Sequence, residues 1–423
     1  MTDLPQDHDY RRDFAAALDR DNPLRDARDQ FVIADETIYF DGNSLGRLPK
    51  ATAGALNALI DEEWGRSLIR SWPSWLQRCV AVSDQLGQVV LGVEAGQVAV
   101  CDSTTINLYK VLDAACELRP DRKTILIEQD NFPTDLYVVQ GIAQARGMTV
   151  RLIDSDINNG VSTEQLAVLL SNDTAVVVLS HVGYRSGALA DMVGITEVVH
   201  EAGALMIWDL SHSAGSVTIP LAKSGADFAV GCTYKYLNGG PGAPAYLYVR
   251  RDLLKSVRQP IWGWFSQQDQ FAMDSTYTPV TGIAKFTTGT PNMLGTTAVG
   301  TGLDTIASVG IEAVEETGQL LTGYALMLAE RWLTPLGFTV ASPRQASRRG
   351  AHLTLHHEAG WQICQAMIAR GVVPDFRTPD RVRLGFAPVT TSYTDIWDGF
   401  QVIVQIVETG EYKSFPTERA QVT

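Results

Sequence analysis

From about residue 97 to residue 250, short apolar runs alternate with amphipathic stretches, and that alternation leaves few folds open. The runs are Val98–Cys101, Thr124–Glu128, Thr149–Ile153, Ala175–Ser180, Leu205–Trp208, Phe228–Gly231 and Ala245–Val249. They are short and rich in β-branched and aromatic residues, so each reads as a buried strand. Helical stretches such as Gln165–Leu170 and Val193–Glu201 lie between most of them. A strand that returns through a helix pairs parallel with its predecessor. The pattern therefore predicts an α/β fold with a large, doubly wound, mainly parallel sheet. The last return, through Asn238-Gly-Gly-Pro-Gly242, is hairpin-like and fits an antiparallel strand. Sheets of this kind place ligands in a crevice at the carboxyl ends of their strands.

The flanks read differently. Residues 1–36, rich in Asp and Arg, suggest a helical or irregular arm, and Thr37–Gly46 a short strand running into a turn. Residues 50–70 carry helical periodicity (Ala55, Leu56, Leu59, Ile60, Trp64), which Trp72-Pro73 is expected to break. Residues 300–335 read as one long helix from Thr301 to Leu333, stopped at Pro335-Leu-Gly337. Strands at Phe338–Ala341, His352–Leu355 and Arg381–Phe386, with helices near 359–370 and 393–408, predict a smaller α+β unit. A chain of 423 residues is long enough for more than one unit. The expected division is an N-terminal arm and part of the small domain (1–70), a large domain (71–299) and a C-terminal small domain (300–423).

Charge and cysteine usage narrow the function classes. A net charge of −14 argues against nucleic acid or an anionic membrane as partner. No apolar stretch is long enough to span a bilayer, and the acidic start, Met1-Thr-Asp-Leu-Pro-Gln-Asp-His-Asp, lacks the apolar core of a secretory signal. The five cysteines (79, 101, 116, 232, 364) are scattered and odd in number, as expected for reduced thiols in a cytoplasmic protein. The histidines form no metal-spaced cluster, and no metal site is expected.

Two charged residues sit at strand ends. Asp209 follows Ala204-Leu-Met-Ile-Trp208, and Lys235 follows Asp227-Phe-Ala-Val-Gly-Cys-Thr-Tyr234. Either alone reads as half of a salt bridge. Together at one crevice they are what pyridoxal phosphate requires: an amine to link to its aldehyde and a carboxylate to keep its ring nitrogen protonated. Asp102-Ser-Thr-Thr-Ile106 opens a helix after a strand, so Thr104 and Thr105 are candidates to grip a phosphate; ordinary N-capping is the other reading. In Asn131-Phe132-Pro-Thr-Asp135 the aromatic can stack on a cofactor ring or simply leave the strand. Ser180-His-Val-Gly-Tyr-Arg185 brings polar groups to the same edge, with Arg185 free to serve surface, partner or substrate. Arg381 and Arg383 share one face of their strand and suit either a carboxylate or solvent. Trp262-Gly-Trp264-Phe-Ser266 suits a flat ligand, a subunit contact or core packing.

Phe40-Asp-Gly-Asn-Ser-Leu-Gly46, Phe132-Pro-Thr-Asp135, Asp209-Leu-Ser-His212, Thr233-Tyr-Lys-Tyr-Leu-Asn-Gly-Gly-Pro-Gly242, Gly263-Trp-Phe265 and Arg381-Val-Arg-Leu-Gly-Phe-Ala-Pro388 together resemble the kynureninase family over nearly the whole chain. These are pyridoxal-phosphate enzymes of the aspartate-aminotransferase fold (type I). The resemblance implies that Lys235 carries the cofactor, Phe132 stacks on its ring and Asp209 pairs its nitrogen, with Asp135 and His212 beside it. It assigns the phosphate end to Thr104, Thr105 and Tyr234, helped by Trp264 and Thr290 from a second subunit, and a further cofactor contact to Ser180. Some relatives carry Asn where Thr290 stands. Arg383 matches the arginine for the substrate carboxylate. The implied reaction is hydrolysis of L-kynurenine to anthranilate and L-alanine by a homodimer with shared active sites. Lys235 acts as the base, and Tyr234 is a candidate proton shuttle. Trp72 is expected to favour L-kynurenine over 3-hydroxykynurenine. A class V aminotransferase or cysteine desulfurase is the alternative, but the helical setting of Cys364 does not suit a mobile nucleophile. A non-catalytic binding protein is a further alternative that an intact Asp209, Lys235 and Arg383 disfavour.

Overall fold

The computed structural model describes residues 10–34 and 36–418. Seven strands form the large sheet: β1 (Val98–Val100), β2 (Thr124–Glu128), β3 (Thr149–Ile153), β4 (Thr174–Ser180), β5 (Leu205–Asp209), β6 (Phe228–Gly231) and β7 (Tyr246–Val249). Their order across the sheet is β1-β7-β6-β5-β4-β2-β3. All neighbours pair parallel except β7, which runs antiparallel to both β6 and β1. Seven apolar runs thus become seven strands, with ends shifted by at most one residue. Val176, Val177 and Val178 are fully buried although successive side chains point to opposite faces, because helices cover both sides. Each such side chain contributes roughly 1.5–3 kcal/mol of burial.

The connecting helices start where their sequences cap them. Ser103 accepts from the Ile106 amide ahead of Thr104–Glu117, and Asp191 from the Gly194 amide ahead of Met192–Glu201. Helix Pro133–Arg146 ends at Gly147 in the left-handed region, φ 62°.

A second, antiparallel sheet holds β8 (Thr339–Val340), β9 (His352–His356), β10 (Asp375–Arg377) and β11 (Arg381–Gly385), in the order β10-β11-β9-β8. The N-terminal segment joins this unit. Ile38–Tyr39 pairs parallel with Val372–Val373, and Ala15 and Phe40 sit in the same apolar cluster as Leu321, Leu353 and Phe400.

Two sequence expectations fail. The single helix over 300–335 is two helices, Met293–Val309 and Ile311–Leu328. Gly310, at φ 83°, turns the chain between them, a conformation open to glycine. Each helix has its own apolar face: Val299 and Leu303 pack toward the large sheet, while Leu321 and Leu328 pack in the small unit. Second, Trp72-Pro73 does not end a helix. Pro73 lies in the first turn of Trp72–Val89, where a missing N–H costs nothing. The preceding helix is interrupted at Leu68, φ 52°.

Candidate active site

Strand ends, two helix starts and the loops beside them converge on a cleft of about 560 Å³. Strand β4 ends at Ser180, β5 at Asp209, and the loop after β6 delivers Tyr234 and Lys235. Thr104 and Thr105 open the helix after β1, while Phe132 and Asp135 come from the start of the helix after β2. These residues and His212 all line the cleft, so nine of the sequence-derived positions meet at one place.

Lys235 Nζ lies 2.9 Å from His212 Nε2. Asp209 Oδ1 accepts from the Ser211 amide (2.9 Å) and hydroxyl (2.6 Å), which fixes the carboxylate at the floor. Ser180 Oγ donates to Asn131 Oδ1 (2.9 Å), and the Phe132 amide donates to the same oxygen (2.7 Å). Phe132, partly exposed, packs edge-on against Tyr184 with ring centroids 5.4 Å apart. Asp102 also lines the cleft, but the fully buried Lys110 pairs with it. That pairing keeps the acid from opposing an anion at the helix start, where free amides and the helix dipole favour one.

The electrostatics of the floor are unusual. Burial raises Asp209, against the pull of Ser211 and Lys235. Burial, then Asp209 and Glu128, push Asp135 well above the usual carboxylate range. Glu128 is pushed up to about 7 by burial. His212 is held well below its ordinary value by burial and by Lys235. Burial raises the Tyr234 hydroxyl. Three buried atoms at this floor have no hydrogen-bond partner among the described residues: Asp135 Oδ2, His212 Nδ1 and Asn131 Nδ2. Buried polar atoms without partners are rare in native proteins. Two neighbouring buried carboxylates call for a cation between them, and the Thr104–Thr105 helix start calls for an anion. A planar group with a basic ring nitrogen at one end, a phosphate at the other and an aldehyde within reach of Lys235 meets each demand.

Arg383 does not line the cleft. It is buried behind it on β11, opposite Asp375 of β10, and pairs with that carboxylate. Its Nη1 donates to the Tyr184 carbonyl (2.7 Å) and its Nη2 to Ser44 Oγ (2.9 Å). Ser44 and Tyr184 both line the cleft, so Arg383 is one contact removed from it. The Ser44 loop is pinned from both sides: the Gly46 amide donates to the Tyr234 carbonyl (2.8 Å), and the Gly385 amide to the Phe40 carbonyl (2.7 Å). A side chain at Gly46 would overlap the Lys235 carbonyl, so only glycine permits this approach.

Trp72, Trp264 and Thr290 lie outside the cleft. Trp72 packs on Trp75 and Phe265, with centroids 5.4 and 5.9 Å away. Trp264 and Thr290 are exposed. The Phe265 amide reaches the Thr288 carbonyl (3.4 Å), so the two segments run together. Arg185 pairs with Asp130 and covers the Tyr184 ring. Cys364 is buried, its thiol toward the Asp375 carbonyl and raised well above its ordinary value by burial, which does not fit a mobile nucleophile.

Sequence reasoning left Ser44, Tyr184, Ser211 and Asp375 without roles. The first three lie within motifs already quoted; Asp375 carried no signal, because only the β10–β11 register sets it opposite Arg383.

Residues 314–403 match the kynureninase C-terminal domain family. A kynureninase from Pseudomonas fluorescens is 41% identical over 405 residues, covering 94% of this chain and 95% of that protein. One from Burkholderia pseudomallei is 40% identical over 422 residues, covering 97% and 99%. Among solved structures, a cysteine desulfurase from Thermococcus onnurineus NA1 superposes with a TM-score of 0.80 at 16% identity, covering 91% of this chain and 98% of that one. A cysteine desulfurase from Escherichia coli gives 0.79 at 18%, covering 91% and 98%. Those two likenesses speak to the fold. Identity of about 40% along almost the full length carries the family: this chain belongs to the kynureninases.

Proposed function

We propose that this chain hydrolyses L-kynurenine to anthranilate and L-alanine with pyridoxal phosphate. The observation that carries the reading is the Asp209–Asp135–His212–Lys235 floor, with its unpartnered buried atoms, inside a chain of this family. Thr104, Thr105, Tyr234, Phe132, Ser180, Asp135, His212, Asp209 and Lys235 would hold the cofactor. When bound, pyridoxal phosphate supplies an electron sink for bond cleavage at the amino-acid carbons.

The side chains then divide the work. Asp209, held by Ser211, keeps a proton on the ring nitrogen. Lys235 Nζ would hold the cofactor aldehyde and, as an amine at the cleft floor, would serve as general base for the α-proton of the substrate. His212, neutral because burial disfavours its charged form, accepts a hydrogen bond from Lys235 without adding a competing charge. Tyr234, with its hydroxyl raised by burial, stays protonated and would donate that proton to Cβ as the Cβ–Cγ bond breaks, while water adds to Cγ and leaves with it as the anthranilate carboxylate. Arg383 serves the substrate carboxylate. A carboxylate entering beside Ser44 competes for the Nη2 hydrogen that Ser44 now accepts. An assay for blue-fluorescent anthranilate from L-kynurenine tests the reading directly; no release by the cofactor-loaded protein overturns it.

The active unit is a homodimer. Trp264 and Thr290 are exposed and off the cleft of their own chain, as residues serving a neighbour's phosphate end must be. Sedimentation at assay concentration should give a dimer, and Trp264→Ala should weaken cofactor retention without unfolding. A fully active monomer contradicts this.

Trp72 sets substrate preference. Its contact with Phe265 joins it to the Trp264 segment. An indole offers only an N–H donor, so it gives a ring hydroxyl little recognition. Wild-type protein should prefer L-kynurenine, within the roughly hundredfold limit of pockets that reject a hydroxyl by shape. Trp72→His should move the kcat/KM ratio toward 3-hydroxykynurenine. Equal ratios, unchanged by the substitution, would make Trp72 a packing residue.

A further inference from the structure

A second cavity, of about 450 Å³, shares no lining residue with the active-site cleft. Its size suits a small molecule. Among the described residues nine line it; three are cations, Lys255, Arg258 and Lys285, and none is Asp or Glu. In a chain of net charge −14 that imbalance is notable. Lys255 and Arg258 are exposed at the rim, and Arg258 meets an acid, Glu117, at 4.0 Å in solvent. Lys285 is different: its side chain is buried, with the residue 8% exposed. Its Nζ donates to the Leu254 carbonyl (2.7 Å) and the Val257 carbonyl (3.2 Å). An ammonium has three hydrogens, and these two bonds leave one. Burial lowers its pKa, and no opposing carboxylate contributes. Burying a cation without a counter-charge is costly, and an anion in the cavity would offset that cost.

The wall sets the rest of the ligand. Trp262 and Tyr277 stack with centroids 4.8 Å apart and planes 17° apart. Trp262 is 67% exposed, so the indole presents a large apolar surface beside the cations. A flat aromatic ring can extend that stack.

We propose that this cavity binds a small planar aromatic carboxylate, with its carboxylate at Lys285 and its ring along the Trp262–Tyr277 wall. Aliphatic anions lack the ring, and neutral aromatics lack the charge. The class includes the aromatic acid released by the reaction proposed above. That link to product rests on that reading; the binding itself does not.

Calorimetric titration of the cofactor-loaded protein with benzoate and with 2-aminobenzoate tests the site. A saturable event is expected in the wild type, weakened at least about tenfold in Trp262→Ala and in Lys285→Met, a loss of ~1.4 kcal/mol or more. Cyclohexanecarboxylate and aniline should bind at this site much more weakly than benzoate. Trp262→Ala alters an exposed side chain, so it decides the matter if Lys285→Met fails to fold. Binding equal in wild type and Trp262→Ala overturns the proposal, as does the absence of saturable binding. Conversion of dimer to monomer by Trp262→Ala also overturns it, because a second copy of the chain then covers this wall. Kynurenine turnover in the same preparations separates the two readings: turnover without the second binding event removes this inference alone, and the binding event without turnover removes the reaction alone.

Discussion

Lys235→Ala is expected to abolish steady turnover and the covalent attachment of cofactor to the chain. Lys235 is the lysine that lines the cleft, and it stands 2.9 Å from His212 on the floor that holds the unpartnered atoms. Removing it takes away both the amine that links to the cofactor aldehyde and the base for the α-proton. Base catalysis alone is worth roughly 10²–10⁴-fold, and loss of the covalent step adds to it. The phosphate end is left intact, so the variant should still bind cofactor reversibly. Borohydride reduction of the wild type followed by peptide mapping gives the direct check. The label must fall on the peptide holding Lys235. A label on Lys223, or undiminished turnover by the variant, would defeat the assignment.

Asp209→Ala should cut turnover far more than cofactor affinity. The carboxylate ends β5, and Ser211 fixes it with two hydrogen bonds to one oxygen. Without it the ring nitrogen loses the charge that holds its proton, so the electron sink is weakest when charge develops. Losing one preorganised contact of that kind costs about 10²–10³-fold in kcat. Affinity should fall less, because Thr104, Thr105, Phe132 and Lys235 are untouched. Asp209→Asn fills the same space with a weaker partner for a pyridinium and should be nearly as slow. Near wild-type turnover in a fully loaded Asp209→Ala variant would refute the role.

Much of this site was legible because it is local in sequence. Asp209 and Lys235 each close a short apolar run, and a doubly wound sheet brings such strand ends together whatever the loop lengths. Thr104 and Thr105 were legible for the same reason, as a helix start after a strand. What could not be read depends on register or on backbone handedness. Asp375 faces Arg383 only through the β10–β11 pairing, and no spacing along the chain announces it. The break at Gly310 was hidden because apolar residues continue across it on both sides. The helical pattern was right, but the first half packs on the large sheet, whereas the second leaves that cluster after Val314 and packs in the small unit from Leu321 on. Pro73 misled because proline both ends helices and begins them, and only the turn at Leu68 decides which.

The pairing of the first segment with the last has a consequence for synthesis. Ile38–Tyr39 needs Val372–Val373, Asp19 receives the amides of Tyr393 and Thr394, and Arg12 meets Asp398. As the chain leaves the ribosome, the large sheet has all its strands once residue 249 has emerged. The N-terminal segment, made first, then still has no partner and waits for more than a hundred further residues. Closing so long a loop is slow compared with local pairing. The Ser44 loop rides on that segment, so the wall of the catalytic cleft is among the last parts of the molecule to be assembled.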